Sequence, residues 1–218
     1  RGGVDLIKFV SKTAQMPSIT EGVGVCHLYV DNLADHKKAV EIVHNSKVQR
    51  PSVCNALDTL LVHSDIADIY LPSIAKKLGS SDEIRCDKKA LDILSKDSQL
   101  KLKAVTAQDW DTEHLSLIIS VKIVDSLEEA LIHIDKHGSG HTEAIVTENN
   151  SIAQKFVNDI DASMVLVNAS TRFNDGGQIG LGAEVAISTD KLHARGPMGL
   201  KELTSYKWTV FGNGQVRN

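Results

Sequence analysis

The sequence predicts an α/β fold with a mostly parallel sheet and flanking helices. Short apolar runs alternate with segments of helical periodicity along most of the chain, a pattern typical of strand–helix–strand units. Hydrophobic residues make up 42% and charged residues 24% of the 218 residues, which is ordinary for a globular chain. The length and composition therefore predict one or two domains with a sizeable core.

The first half of the chain contains two predicted strand–helix pairs. Apolar runs predict strands at 23–30 and 56–62, and an apolar helical face predicts a helix at 34–45. A second helix is indicated by apolar side chains that repeat every four residues: Ile66, Tyr70, Ile74 and Leu78. Pro72 lies inside this repeat, so the helix is expected to begin near it or to be kinked there.

The alternation continues in the second half. A strand is predicted at 116–124, and Ser126 with Glu129 forms a capping-box pattern that opens a helix ending at Gly138. The pattern then predicts a strand at 144–147, a helix at 151–158 and a strand at 164–167.

A glycine-rich segment at 169–182 interrupts the pattern. It follows a predicted strand, and loops at the carboxyl ends of parallel strands usually bind ligands. It is not a dinucleotide fingerprint, because no long helix with an acidic residue about 20 positions further on completes the unit. Beyond it, 200–206 is expected to be helical and 208–211 to form a last strand.

Charge and cysteine content exclude several classes of protein. Lys and Arg number 24 against 28 Asp and Glu, so a general nucleic-acid binder is not expected. No apolar run reaches the roughly 18 residues of a membrane span. Three widely spaced cysteines argue against a disulfide framework and for a reducing compartment. A chain that begins at Arg1 without a signal-like stretch is interpreted as a piece of a longer protein.

Cys54 is the first candidate catalytic residue. It lies in a polar break between a predicted helix and strand, where Pro51 predicts a rigid turn. Arg50 is close in sequence, and a nearby cation favours the nucleophilic thiolate. The alternative is a buried structural thiol, which is also the interpretation for Cys26 and Cys86.

The histidines do not predict a metal site. His133 and His137 are four residues apart on one predicted helix, but no third ligand or metalloprotease motif accompanies them. A solvated helix face is the preferred interpretation for this pair. His27 is expected to be a satisfied core residue. A hydrolase that pairs Cys54 with a distant histidine remains an open alternative.

Arg172 is the most attractive charge in the glycine-rich segment. A guanidinium beside Ser170 and Thr171 could hold a carboxylate bidentately, although a surface arginine in a turn is an equal alternative. Glu113 alone is an acidic loop residue. The segment 193–197 could contact an anion or begin a helix at Pro197.

Three long strings resemble one enzyme family. They are QRPSVCNALDTLLVH at 49–63, VNASTRFNDGGQIGLGAEVAIST at 167–189 and KLHARGPMGLKELTSYKW at 191–208. They resemble the γ-glutamyl phosphate reductases, a proline-biosynthesis branch of the aldehyde dehydrogenase superfamily. The likeness runs in the same order over essentially the whole chain, and it implies an aldehyde dehydrogenase-like catalytic domain.

The resemblance also implies a domain organisation, because it covers the carboxyl-terminal half of such an enzyme. Residues 1–40 would end an NADP-binding domain, and 41–176 would form the catalytic cysteine domain. Residues 177–218 would form a return segment and an oligomerisation strand. A cytoplasmic homo-oligomer is then expected, and the chain alone is expected to be inactive.

The implied reaction is NADPH-dependent reduction of L-glutamyl 5-phosphate to glutamate 5-semialdehyde and phosphate through a cysteine thioester. Cys54 matches the family's catalytic cysteine. Ser170, Thr171 and Arg172 match the anchor loop that faces the substrate. The alternative to this enzyme is a non-catalytic fragment that serves as an interaction or oligomerisation module.

Two glutamates match the superfamily less well. Glu113 falls where aldehyde dehydrogenases hold the nicotinamide ribose, but the next three residues, 114–116, depart from their pattern. Glu21 lies near the general base of oxidative relatives and is given no catalytic role, because phosphate leaves without attack by water.

Overall fold

A computed structural model describes residues 2–218, apart from the side chain of Val4. The helices are α1 Val4–Thr13, α2 His36–Val48, α3 Ser64–Leu78, α4 Lys88–Leu94, α5 Leu127–His137 and α6 Asn150–Asp159. The strands are β1 Cys26–Val30, β2 Leu57–His63, β3 Glu83–Cys86, β4 Lys101–Ala104, β5 Ile118–Val124, β6 Thr142–Val146, β7 Met164–Val167, β8 Ile187–Ser188 and β9 Gly196–Pro197.

The first seven strands form one sheet in the order β4-β3-β5-β2-β1-β6-β7, and every neighbouring pair is parallel. The predicted α/β fold is therefore confirmed. The boundary predicted at residue 40 falls after β1, which lies between β2 and β6 in this sheet. Residues 26–40 consequently share one core with the segment 41–176 that was predicted to form the catalytic domain.

Helices cover both faces of the sheet because the strand side chains alternate. In β1, Leu28 and Val30 belong to a core cluster with α2, α3 and α4, whereas Tyr29 faces the opposite cluster with α5 and α6. Phe156 of α6 is fully buried in that second cluster. Apolar burial on both faces explains why the central strands read as continuous apolar runs.

The predicted start and end of α5 are confirmed, with a local difference at each. Ser126 Oγ accepts a hydrogen bond from Glu129 N, but the Glu129 carboxylate accepts from Asp125 N, one residue before the cap. Gly138 has an ordinary φ of −69°. A Cβ at Gly138 would lie 2.6 Å from the carbonyl oxygen of Ile134, so close packing requires the glycine.

Several local predictions are wrong. Of the two alternatives for Pro72, a helix that begins near it is wrong, because α3 begins at Ser64 and continues through Pro72. Residues 200–206 form only a turn, in which Thr204 Oγ1 donates to Leu200 O. No strand forms at 208–211, because no described strand lies beside it to complete a ladder.

The segment 193–197 does not begin a helix either. Gly196–Pro197 pairs with β8, and Arg195 forms an ion pair with Asp161. Helix α1, helix α4 and strand β4 were not predicted from the sequence. No helix in residues 2–218 combines the length and apolarity that crossing a membrane requires.

Candidate active site

Cys54 lies just before β2, at the edge of the sheet where the strands begin. Its turn is closed by Ala56 N, which donates to Val53 O at 3.0 Å. Strand β1 also contacts this turn, since Cys26 Sγ donates a hydrogen bond to Cys54 O at 3.1 Å. A Cβ at Gly24 would lie 2.1 Å from Cys54 O, so only glycine permits this approach. The backbone at Cys54 is therefore fixed by its neighbours.

A buried ion pair ties together the segments around Cys54. Lys47 Nζ lies 3.8 Å from Asp58 Oδ1, and both side chains are buried. Asp58 accepts hydrogen bonds from Cys26 N and from His114 N, next to Glu113. Burial raises the pKa of Asp58 to about 6 despite the neighbouring ammonium. The sequence analysis missed this pair, since nothing in the local pattern marks Lys47 as buried.

The glycine-rich segment was expected to lie at the carboxyl ends of the strands, but it returns from the end of β7 to the opposite edge of the sheet. Ser170 Oγ and Thr171 N bond to Ser46 Oγ of α2 at 3.0 and 3.2 Å. Further on, Asn174 Nδ2 donates to Thr142 Oγ1 at the start of β6, and Asn174 O accepts from Asn55 Nδ2. The segment thus runs back to the edge where Cys54 lies.

This path brings Arg172 to the cysteine. A cavity of about 360 Å³ contains Cys54 and six charged lining residues: Glu21, Arg50, Glu113, Arg172, Asp175 and Glu184. Arg172 Nε donates to Gln49 Oε1 at 2.8 Å, which fixes the guanidinium. Of the predicted anchor residues, only Arg172 lines this cavity. Ser170 and Thr171 are buried and hold the loop against α2.

A second cavity, of about 450 Å³, meets the first at Cys54. Cys54, Glu21 and Glu113 line both cavities, and residues 2–23 supply most of the remaining wall of the second. Cys54 therefore lies between the first cavity, which has many charged lining residues, and the second cavity, which is lined mainly by residues 2–23. Glu113 lies where the two cavities meet. The resemblance to aldehyde dehydrogenases predicts that a glutamate at this position holds the nicotinamide ribose.

Electrostatics oppose ionisation of this thiol. Burial, together with the carboxylates of Glu21, Glu113 and Glu184, raises the pKa of Cys54 to about 11. The expectation that Arg50 would favour the thiolate is therefore wrong in the protein without ligands, because desolvation and three carboxylates outweigh it. Burial also raises the pKa of Glu113 and lowers that of Arg172.

The histidines lie elsewhere. His133 is only 5% exposed and packs edge-on against Trp110 and His27, with ring centroids 4.9 and 5.6 Å apart. His137 stacks on His133 and lies 2.6 Å from Asp111. The predicted solvated face is thus wrong, because α5 turns these rings inward.

Neither a metal site nor a hydrolase pair emerges within residues 2–218. His27 is buried at the predicted core position with its Nδ1 3.1 Å from Glu143, but neither ring nitrogen forms a well-aligned hydrogen bond among the described residues. No group of three or more His, Cys, Asp or Glu side chains among the described residues is arranged to hold a metal. No histidine in this part of the chain lines either cavity at Cys54, so the cysteine hydrolase alternative lacks its base.

The fold is that of the aldehyde dehydrogenases. The chain aligns over its full length with the acetylating aldehyde dehydrogenase of Geobacillus thermoglucosidasius, covering 56% of that chain at 19% identity and a TM-score of 0.74. A probable aldehyde dehydrogenase from Listeria monocytogenes gives 17% identity and a TM-score of 0.75 over 99% of this chain and 56% of that one.

The resemblance to γ-glutamyl phosphate reductases is also confirmed. The chain is 57% identical over all 218 residues to the γ-glutamyl phosphate reductase of Dehalococcoides mccartyi, covering 51% of that protein. The crystal structure of the Thermotoga maritima γ-glutamyl phosphate reductase matches the whole chain at 50% identity and a TM-score of 0.89, with 52% of that protein covered. The chain thus spans about half the length of these relatives. No protein-family model matches it.

Proposed function

We propose that this chain is the catalytic half of an NADPH-dependent reductase that converts L-glutamyl 5-phosphate to glutamate 5-semialdehyde and phosphate in proline biosynthesis. The position of Cys54 between two cavities is the observation that supports this most strongly. A nucleophile at such a junction could meet an acyl group from one side and a hydride donor from the other. The names of the full-length homologues point to the same reaction.

The chemistry proposed for Cys54 is acyl transfer. The thiolate attacks the acyl carbon, and a backbone N–H near Cys54 donates to the oxyanion that forms. Phosphate then departs, and the acyl group remains bound to the sulfur as a thioester. The thioester keeps the acyl carbon fixed at the junction of the cavities. After reduction of its carbonyl, the hemithioacetal collapses to the aldehyde and returns the thiolate.

Arg172 is proposed to bind the α-carboxylate of the glutamyl group. Its Nε is occupied by Gln49, and no other hydrogen bond of this guanidinium is present in the described structure. The terminal N–H groups therefore remain for a bidentate carboxylate. Ser170 and Thr171 contribute indirectly, by fixing the loop that carries Arg172.

The second cavity fits the nicotinamide end of NADPH. Gly2 and Gly3 line it without side chains that would block a flat ring, and Lys8 contributes a cation. Glu113, on the shared wall, is proposed to accept a hydrogen bond from the ribose. When bound, NADPH supplies the hydride. Most of a dinucleotide would extend beyond this cavity, so we propose that activity requires the amino-terminal half found in the relatives.

The remaining assignments follow from the same proposal. The first boundary, predicted at residue 40, is proposed instead at residue 24, because β1 lies within the central sheet. Residues 1–24 would then belong with the NADP-binding half, 25–176 with the catalytic domain and 177–218 with a return segment that reaches a second subunit. The side chains of Tyr206, Trp208 and Phe211 are more than 80% exposed, as expected for a strand that pairs between subunits. We propose a cytoplasmic homo-oligomer, and no activity for residues 1–218 alone.

The same exposed tail favours the second candidate, a non-catalytic interaction module. An assay separates the two. This chain, joined to the amino-terminal half of a relative, is given glutamate 5-semialdehyde, phosphate and NADP⁺. NADPH formation that requires all three reactants is expected for the reductase. Failure to form NADPH would contradict it and leave the interaction module.

A further inference from the structure

Arg172 and Glu184 carry opposite charges and both line the first cavity. Each shifts the pKa of the other, but they form no direct ion pair among the described residues. Within the described residues, the Arg172 guanidinium donates one hydrogen bond, from Nε to Gln49 Oε1. Glu184 uses one carboxylate oxygen, Oε2, to accept a hydrogen bond from Gly176 N at 2.8 Å. Each side chain is thus anchored by one bond and keeps further hydrogen-bonding capacity for a ligand.

The backbone around Gly176 holds Glu184 in place. A Cβ at Gly176 would lie 3.1 Å from the Glu184 Cβ and from the carbonyl oxygen of Ala183, so a side chain there would require the facing segment to shift by a few tenths of an ångström. The carboxylate therefore stands on a fixed support. Partial burial raises the pKa of Glu184 despite the charge of Arg172, so a second cation beside this carboxylate would be favourable.

The other acidic residues that line the first cavity have contacts or positions of their own, away from Arg172. Asp175 Oδ1 accepts from Gly177 N and Gln178 N, which closes the turn. Glu113 interacts with the Gly24 backbone, and both Glu113 and Glu21 also line the second cavity. Glu184 is accordingly the acidic side chain best placed to meet a cation near Arg172.

An independent observation points to a ligand that donates hydrogen bonds. Asn55, only 3% exposed, lines the same cavity next to Cys54. Its Nδ2 donates to Asn174 O, and its Oδ1 has no donor in the described part of the chain. A buried amide oxygen without a donor is costly, and an ammonium group carries three donors.

We propose that Glu184 accepts the α-ammonium group of the substrate while Arg172 binds its α-carboxylate, so that the cavity recognises the zwitterionic end of an amino acid. This inference rests on the proposed function. Arg172 alone would accept glutamyl and glutaryl groups equally. Discrimination arises because a substrate without the amino group leaves Glu184 desolvated and unpaired.

The test compares two aldehydes in the complete reductase, running in the oxidative direction with phosphate and NADP⁺. One aldehyde is glutamate 5-semialdehyde and the other is its deamino analogue, 5-oxopentanoate. The unmutated enzyme should prefer the amino-bearing aldehyde. In Glu184→Gln the ratio of the two kcat/KM values should fall about 10- to 100-fold, as for a lost charge-assisted hydrogen bond.

Glu129→Gln is the matched control. Its carboxylate also accepts one backbone N–H, from Asp125, but lies outside the cavity, so the ratio should stay unchanged. Glu184→Asp, which keeps the charge, should retain part of the preference. If Glu184→Gln folds poorly, as judged by far-UV circular dichroism, the Glu184→Asp ratio decides alone, and a ratio equal to that of the unmutated enzyme overturns the proposal.

The possible failures are distinguishable. If the unmutated reductase oxidises neither aldehyde, the proposed function and this inference fall together. If it oxidises glutamate 5-semialdehyde but Glu184→Gln lowers kcat/KM equally for both aldehydes, the reductase stands and the ammonium site is refuted. A measurement without turnover adds to this: L-glutamate should protect Cys54 from iodoacetamide better than glutarate does, and Glu184→Gln should abolish that difference.

Discussion

Two groups of titratable side chains in this protein behave in opposite ways. Around Cys54, charged groups face open cavities and are only partly paired. In the second group, His27, His133 and Glu143 are buried against one another and against Trp110. The stronger shift belongs to the second group, since burial lowers the pKa of His133 to about 2. A perturbed pKa therefore marks a site only where a ligand can reach the group.

The comparison predicts that mutations at the two places affect different properties, and the largest effect is at Cys54. Cys54→Ala should lower reductase turnover by about 10³-fold or more, because no other side chain can carry the acyl group. The urea midpoint should change little. Cys86→Ala is the matched control, since Cys86 is buried in β3 far from both cavities, and its turnover should be normal.

Arg172→Ala should have the next largest effect. Loss of a bidentate guanidinium should raise KM for the acyl phosphate about 10- to 100-fold, with KM for NADPH nearly unchanged. Arg172→Lys should recover only part of the loss, because a point charge cannot form the fork. Steady-state kinetics with each substrate varied in turn measures this. Equal increases in both KM values would argue against an anchor for the α-carboxylate.

Alkylation of Cys54 sharpens the electrostatic side of the comparison. With a pKa of about 11, the thiol should react with iodoacetamide about tenfold faster for each pH unit between 8 and 10. Glu113→Gln removes a carboxylate that raises this pKa, so the rate at pH 8.5 should increase about threefold. Mass spectrometry of the Cys54 peptide gives the rates. A profile that levels off below pH 8 would contradict the carboxylate environment.

The histidine group should affect stability against acid and have the smallest effect on turnover. Burial depresses the pKa of His133, so its stabilising contribution is present above pH 6.5 and is lost as the pH falls towards 2. The urea midpoint should therefore fall between pH 7 and pH 5. His133→Phe should flatten that dependence and leave kcat/KM near normal. If the urea midpoint of His133→Phe falls with decreasing pH as steeply as that of the unmutated protein, other groups, such as His141, dominate the acid sensitivity.

Local patterns predicted the centre of the fold and missed its periphery. The strands at 23–30 and 56–62 appear as β1 and β2 because apolar burial on both faces dominates their sequence. The strand at 208–211 fails because a strand requires a neighbour, which no local pattern supplies. The predicted solvated face at His133 is wrong for the same reason, since Trp110 of the short 3-10 helix Ala107–Asp111 covers it.

The candidate site was predicted residue by residue but not as an arrangement. Cys54 and Arg172 came from local chemistry and from resemblance, yet the return of 169–176 to the edge at Cys54 depends on contacts with Ser46 and Thr142. Glu184 and the Lys47–Asp58 pair were missed because their roles arise from burial and shared cavities. Long-range packing decides such features.

The transient thioester on Cys54 is the central claim, and withholding phosphate tests it most directly. The complete reductase is incubated with glutamate 5-semialdehyde and NADP⁺, quenched in acid and digested for mass spectrometry. The account predicts one glutamyl group per active site on the peptide that contains Cys54, formed together with one equivalent of NADPH. A glutamyl group on another side chain, or NADPH formation without any acylated peptide, would contradict it.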